Sequence, residues 1–461
     1  MTDPNTASRE PEPKTPTKLL AAGLVASSIE WYDFFVYATA AALVFGPLFF
    51  PQATPLIAAL LAFSTFWAGF IARPLGGVVF GHFGDRFGRK PALVTCLVLM
   101  GSATFAIGLL PTETSIGAAA PILLVTLRFL QGIAVGGQWG GITLLLTESA
   151  GRGSRGKAGT FGQMGVPSGV ILGNVAFLVT AATMSEEAFA SWGWRIPFLL
   201  SALLFPVVLF IQLRIEDTPV YRQLSERAAE RAERTPKAPL AEALRTHSRQ
   251  ILFGAGLLFA SNAIFYVSIA GVLDYGTREL GLDYDSLLAV SLASAAVGMI
   301  VIYVSGLLSD RFGRRPLLLA GSGLIVVWAF PFFWLVDTGS LALIAVAVTV
   351  GGAGSSLAYG PLAAYLSELF EPRVRYSGAS MAYQLAAILI SGGTPFIMTA
   401  LLAATGTSAA VSAFLLVMGL CTLGSTLMLA ETRPTRSSTE VPEPHSARSS
   451  GDVSKTSGTA G

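Results

Sequence analysis

The sequence predicts an all-α membrane protein whose twelve transmembrane helices form two pseudo-symmetric six-helix bundles. Three observations carry this. Of 461 residues, 52% are hydrophobic and only 13% charged, against about 25% charged in an ordinary soluble domain. That is too little charge to cover a water-facing surface, and the mean hydropathy is +0.63. The apolar residues gather into runs that match a bilayer core of about 30 Å, which takes roughly 20 helical residues to cross. Finally, one charged motif occurs twice, each time between two long apolar runs. Gly81-His82-Phe83-Gly84-Asp85-Arg86-Phe87-Gly88-Arg89-Lys90-Pro91 is matched at 306–316 by Gly-Leu-Leu-Ser-Asp-Arg-Phe-Gly-Arg-Arg-Pro, 225 residues further on.

Taken in order, residues 1–18 are polar and rich in Pro and Thr, without an apolar stretch or cleavage site, and read as a disordered tail. Apolar spans are predicted at about 19–46, 56–80, 91–110, 121–147, 159–182 and 195–214, forming an N-terminal bundle over 19–214. Residues 215–249, with Arg, Glu and three prolines, read as a linker. A C-terminal bundle over 250–430 follows, with spans at 250–274, 286–308, 316–336, 341–366, 377–402 and 407–430. Residues 431–461 read as a second disordered tail. Helices are expected because each lipid-embedded segment must satisfy its own backbone hydrogen bonds.

Orientation follows from the positive-inside rule. With the N-terminus cytoplasmic, 26 Lys and Arg residues fall on the inner side, two (Arg195 and Arg278) on the outer side and two (Arg73 and Arg128) inside spans. One missed span would exchange the sides of every later loop, so this imbalance supports twelve spans, both termini cytoplasmic, in a cell inner (plasma) membrane. Cys96 and Cys421 lie in apolar runs, and His82, His247 and His445 in polar ones, so neither a disulfide framework nor a metal site is indicated. No nucleophile–base set suggests an enzyme, and no Gly-x-x-x-x-Gly-Lys-Ser/Thr loop suggests a nucleotide-driven pump. No cofactor, metal or nucleic-acid partner is expected, and the chain reads as a monomer.

The repeat extends beyond the first motif. Glu148, Arg155 and Gly159 after the fourth span are matched by Glu368, Arg375 and Gly378 after the tenth. Two related halves side by side imply a pseudo-twofold axis along the membrane normal and a cavity between them. The charged loops read as a cytoplasmic gate made by Gly81, Asp85, Arg86, Gly88, Arg89, Glu148, Arg155, Asp310, Arg311, Arg314, Glu368 and Arg375. Glu148 with Arg155, and Glu368 with Arg375, are the expected ion pairs. The glycines are expected at close helix contacts or tight turns. The basic residues have a plainer explanation in topology alone.

The motif Gly81-x-x-x-Asp85-Arg86-x-Gly88-Arg89-Lys90 resembles the signature loop of the major facilitator superfamily, and its copy at 306–315 the weaker second-half version. Arg128-Phe129-Leu130-Gln131-Gly132 is similar to the Arg-x-x-Gln-Gly motif of proton-coupled members. Ile29-Glu30-Trp31-Tyr32-Asp33-Phe34-Phe35-Val36-Tyr37, Arg73-Pro74-Leu75-Gly76-Gly77 and Gly136-Gly137-Gln138-Trp139-Gly140-Gly141 resemble the metabolite–proton symporter family. The resemblance implies carriers of shikimate, oxoglutarate, citrate and other small carboxylates, or of proline and betaine, driven by the proton gradient. Gln138 stands where that family usually has Glu, and Ala38 where it usually has Gly.

Ionisable groups inside spans are functional candidates, because lipid makes them costly unless paired or wetted. Glu30 and Asp33 lie roughly 17–21 Å into the first span at 1.5 Å per residue, near the midplane. Asp33 is the expected proton site and Arg128 its partner, as the resemblance also implies; a static ion pair is the competing reading. Glu30 reads equally as a second protonation site or as a packing or gating group. Arg73 reads either as a clamp for a substrate carboxylate or as a structural cation. The remaining substrate candidates are Tyr32, Tyr37, Gln138, Trp139 and Asn174 in the first half, and Asn262, Tyr266, Tyr359, Tyr383 and Gln384 in the second.

Proton symport of a small organic acid or zwitterion into the cell is therefore expected. Proton-coupled efflux or exchange is the alternative, and a non-transporting sensor the next. Val166 between Gly165 and Pro167 departs from the Gly-Pro pattern of drug antiporters, which favours import. The tail lacks the heptads of an osmosensing betaine carrier.

Overall fold

The computed structural model describes residues 17–87, 89–138, 146–147, 149–151, 153–216, 245–371 and 374–432, and the described residues fold as helices and short connections. The tails at 1–16 and 433–461 and most of the linker, 217–244, lie outside the described residues.

The first half contains α1 (Thr17–Leu43), α2 (Pro55–Phe87), α3 (Arg89–Leu109), α4 (Ala119–Gln138), α5 (Arg155–Ala182) and α6 (Gly193–Ile211). The second contains α7 (Ser248–Arg278), α8 (Tyr284–Phe312), α9 (Arg314–Val336), α10 (Leu341–Leu369), α11 (Ser377–Thr405) and α12 (Ala409–Met428). Eleven of these carry stretches long and apolar enough to cross a membrane; in α3 the apolar part is the shorter Val94–Leu109. Their outward faces are apolar too: Leu203, Val327 and Trp334 are exposed, as expected where lipid is the solvent.

The expected span limits are met to within a few residues except at the end of the fourth, expected at 147, which follows residues 139–145 outside the described set; the second span shows an informative difference. The motif at 81–87 is not loop but the last two turns of α2, and Ser309–Phe312 likewise closes α8. In the second copy the turn is one residue, Gly313, with φ of 106°, a conformation that glycine adopts without a Cβ clash. Gly306, the counterpart of Gly81, serves the other expected purpose: a Cβ there would lie 2.1 Å from Thr160 Cγ2, so α8 touches α5.

Helix pairing follows the duplication. α5 packs on α8, and α2 on α11, so the second helix of each half meets the fifth of the other. Within the first half α2 and α4 approach through Gly76, Gly132 and Gly136. A Cβ on these would lie 1.9 Å from Ile133 O, 2.0 Å from Gly69 O and 1.8 Å from Arg73 O respectively. α5 is broken near Met164, between Gln163 and Gly165, where Pro167 withholds a backbone donor. Ser27 of α1 donates to the Gly162 carbonyl there at 2.8 Å. α7 and α11 each contain a π-helical turn, Val267–Gly271 and Ala387–Ser391, a local widening that often sits at functional sites.

Gly132→Ala should therefore lower stability by about 1–3 kcal/mol, because the new methyl meets backbone and not a movable side chain. Unfolding of the purified protein in mixed micelles measures this; unchanged stability would contradict the close α2–α4 packing.

Candidate functional site: a buried relay, a central cavity and a latch

Asp33, Arg73 and Arg128 are each 1% exposed. Asp33 on α1 accepts from the Thr104 hydroxyl of α3 and, at 3.2 Å to each oxygen, from Gln131 Nε2 of α4. Gln131 Nε2 also meets Thr104 Oγ1 at 2.7 Å. The Gln131 oxygen accepts from Arg128 Nη1 at 3.0 Å. The direct Asp33–Arg128 ion pair expected from the sequence is thus replaced by a carboxylate–amide–guanidinium chain. Gln131 sits one turn from Arg128 on the same helix, and its amide can serve an anion with one end and a cation with the other.

Arg128 is otherwise held by aromatic faces, its Cζ 4.1 Å from the Tyr37 ring centroid and 4.4 Å from that of Phe34. Gly69 makes room for it: a Cβ there would lie 2.8 Å from Arg128 Nε. Arg73 lies over Phe70 at 4.3 Å and over Phe34 at 4.8 Å. Its Nε and Nη2 are buried without a hydrogen-bond partner among the described residues. The same two nitrogens of Arg128 are likewise buried without a hydrogen-bond partner among the described residues. Glu30 is half-buried.

Between the halves lies a cavity of ≈ 750 Å³ of atom-free space, mouth included. The expected residues Asn262, Tyr266, Tyr359 and Tyr383 line it. Several others do not, Arg73 among them: it stacks on the lining Phe70 ring but is not itself a lining residue. Tyr32 donates to Pro197 O at 2.5 Å, and Tyr37 meets Thr65 Oγ1 at 2.6 Å, so both are committed to packing in the first half. Asn174 accepts from Thr39 at 3.0 Å and donates to Ser291 at 3.2 Å, tying α5 to α8 behind the cavity. Gln384 is buried outside the lining. Trp139 and the side chain of Gln138 lie outside the described residues.

Sequence reasoning missed Trp31 and the serines that line the cavity, and it missed Thr104 and Gln131 as partners of Asp33. Gln131 had a signal, its i,i+3 spacing from Arg128; Thr104 and the serines resemble any small polar residue in a span.

At the end of the bundle that carries the duplicated motif, a latch joins the halves. Asp310 of α8 accepts from the backbone N–H groups of Gly156 (2.9 Å) and Lys157 (2.8 Å), capping the N-terminus of α5, where a carboxylate opposes the helix dipole. Arg314 donates to Asp310 at 2.7 Å and grips both oxygens of Glu368 at 3.3 Å. Arg155 crosses from the first half to Glu368 at 3.9 Å. The expected Glu368–Arg375 pairing is therefore corrected: Glu368 engages Arg314 and Arg155, which the α5–α8 contact brings within reach. Arg311 is exposed beside Phe312 and takes no part in these bonds. Gly88, Glu148 and the side chains of Asp85, Arg86 and Arg89 lie outside the described residues. Glu431 and Thr432, expected in the tail, are docked instead. Glu431 accepts from the N–H groups of Arg314 and Arg315, and Thr432 donates to Glu368 at 2.9 Å.

A twelve-helix architecture in paired halves, with buried charge beside a central cavity, defines a membrane transporter. The sequence profile described as the Major Facilitator Superfamily matches residues 19–392, and the chain belongs to that superfamily. It is 39% identical over 422 residues to the inner membrane metabolite transport protein YhjE of Escherichia coli, covering 90% of this chain and 94% of that one. It is 38% identical over 375 residues to the E. coli shikimate transporter, covering 81% and 85%. To the proline/betaine transporter of Salmonella typhimurium it is 32% identical over 429 residues, covering 92% and 85%. Among solved structures, the partially occluded inward-open xylose transporter XylE of E. coli superimposes with a TM-score of 0.70 at 17% identity, covering 91% of this chain and 99% of that one; this likeness is one of fold.

Replacing Asp310 by Asn removes the charge from the α5 cap and from Arg314. Charge-assisted hydrogen bonds contribute about 1.5–3 kcal/mol, so the population with the motif end parted should rise about tenfold. Distance distributions between spin labels at Ser154 and Phe312 report it; an unchanged distribution would show that the latch does not hold the halves together.

Proposed function

We propose that the protein is a proton symporter that brings a small organic acid or zwitterionic metabolite into the cell by alternating access. Both termini are cytoplasmic, in accord with the charge imbalance across the spans, and the latch is then the cytoplasmic gate. The observation that carries the reading is the Asp33–Gln131–Arg128 chain, buried beside a cavity shared by the halves. Asp33 takes up and releases the proton. It is held by a hydroxyl and an amide, so a proton can be exchanged there without breaking a direct ion pair.

Arg73 and Arg128 both contact Phe34, so a second cation lies beside the Asp33–Gln131–Arg128 chain. Arg73, stacked on the cavity-lining Phe70 ring, is the group that attracts the cargo's carboxylate, and a guanidinium is suited to bind it bidentately. Cargo binding then moves positive charge away from Arg128's surroundings and links occupancy to the protonation of Asp33. Alternating access follows as the latch on α5 and α8 parts while the opposite end closes.

Asp33→Asn should abolish accumulation driven by an imposed pH gradient in proteoliposomes, while counterflow of cargo persists in part. Normal uphill accumulation by this variant would remove Asp33 from the coupling mechanism. Arg73→Lys keeps the charge but loses the planar fork, and should weaken uptake of carboxylates about tenfold more than that of neutral analogues; an equal loss for both would assign Arg73 to packing.

A further inference from the structure

The cavity lining is chemically lopsided. Its first-half wall is Trp31, Phe70, Val166 and Pro167, whereas its hydroxyl and amide groups all come from the second half. No Asp, Glu, Lys, Arg or His lies among the described lining residues. The hydroxyls are also partly committed. Ser268 donates to Ile264 O at 2.7 Å, Ser294 to Val348 O at 3.2 Å and Ser355 to Ser261 O at 2.9 Å. A carbonyl only accepts, so each of these serines has spent its proton and offers the cavity a lone pair. Ser291 and Ser391 stand the other way: each accepts from an asparagine, Asn174 and Asn262 respectively, and keeps a proton to give.

We propose that this second-half wall recognises ligand hydroxyl groups, and that the cargo is a small polyhydroxylated monocarboxylate. The hydroxyl part stands on the wall itself; the carboxylate part rests on the role given to Arg73 above. A ligand hydroxyl both gives and takes a hydrogen bond, which matches a wall where Ser268, Ser294 and Ser355 accept, Ser291 and Ser391 donate, and Ser356 and three tyrosines add further hydroxyls. A second carboxylate only accepts, and would meet no cation on this wall. An ammonium group would meet no anion there. A methylated ammonium has no proton for the three acceptor serines.

The test uses the full chain in nanodiscs, titrated calorimetrically with four probes: gluconate, hexanoate, sorbitol and glycine betaine. Gluconate should bind at least about tenfold more tightly than hexanoate, since a site built to bond hydroxyls rejects the analogue that lacks them. Ser268→Ala with Ser355→Ala should erase most of that preference and leave hexanoate within about twofold of its original affinity. Should the double variant not fold, Ser268→Ala alone serves, because that hydroxyl bonds only its own helix; it should reduce the preference at least about threefold. Hexanoate or betaine binding as tightly as gluconate overturns the proposal, and so does a serine variant that keeps the full preference. Failure of both gluconate and sorbitol to bind overturns it as well. Sorbitol binding as tightly as gluconate upholds the hydroxyl wall and instead overturns the assignment of a carboxylate to Arg73.

Discussion

Two guanidinium groups rest on one phenyl ring, and much of the first half is arranged to permit it. Arg73 and Arg128 come from neighbouring helices, α2 and α4, and both guanidinium groups stack on Phe34 of α1. A cation in a lipid-solvated bundle is tolerated only where aromatic faces, dipoles or water replace its hydration. The aromatic cluster of Phe34, Tyr37, Phe66 and Phe70 supplies those faces. The glycines of α2 and α4 bring the two backbones near enough for the long side chains to reach them. Close helix contact and buried charge are thus one design: adding a methyl at Gly69 would strike Arg128 itself.

The two halves have inherited the same helices and put them to different uses. The first concentrates charge, with Asp33, Gln131, Arg128 and Arg73 set behind apolar cavity walls. The second keeps its cavity face neutral and lines it with serine, tyrosine and asparagine. On the proposed reading, proton coupling belongs to the first half and recognition of ligand hydroxyls to the second, with Arg73 meeting the carboxylate from the first. The helix pairs α5–α8 and α2–α11 join them.

Topology was legible in the sequence because it is written in long-range averages. Twenty apolar residues and a motif repeated at half the chain length survive errors of a few residues. The motif glycines were legible as well, since Gly306 and Gly313 divide between them the close contact and the tight turn foreseen for their class. Contacts were less so. Asp33 and Arg128 stand out as charges in apolar spans, but the amide interposed between them depends on helix rotation, which a uniformly apolar helix does not reveal. Glu368 was paired with a residue of its own motif because sequence proximity was the available guide; its partners are Arg314 and, across the interface, Arg155. Serines pose the hardest case, because the same residue type bonds its own helix in one place and faces the cargo in another.

The indole of Trp67 on α2 donates to the carbonyl of Ile388, within the π turn of α11, at 2.8 Å. In a π turn the carbonyls pair five residues ahead, so the hydrogen-bond ladder is locally out of step with the rest of the helix. Moving α2 along α11 deprives that carbonyl of its indole partner in an apolar wall, at a cost of about 1–3 kcal/mol if nothing replaces it. Relaxation of the turn toward α geometry would bring a backbone donor back into range. A slide of α2 along α11 would therefore be coupled to the winding of one helix, and would favour a discrete step over a continuous slip.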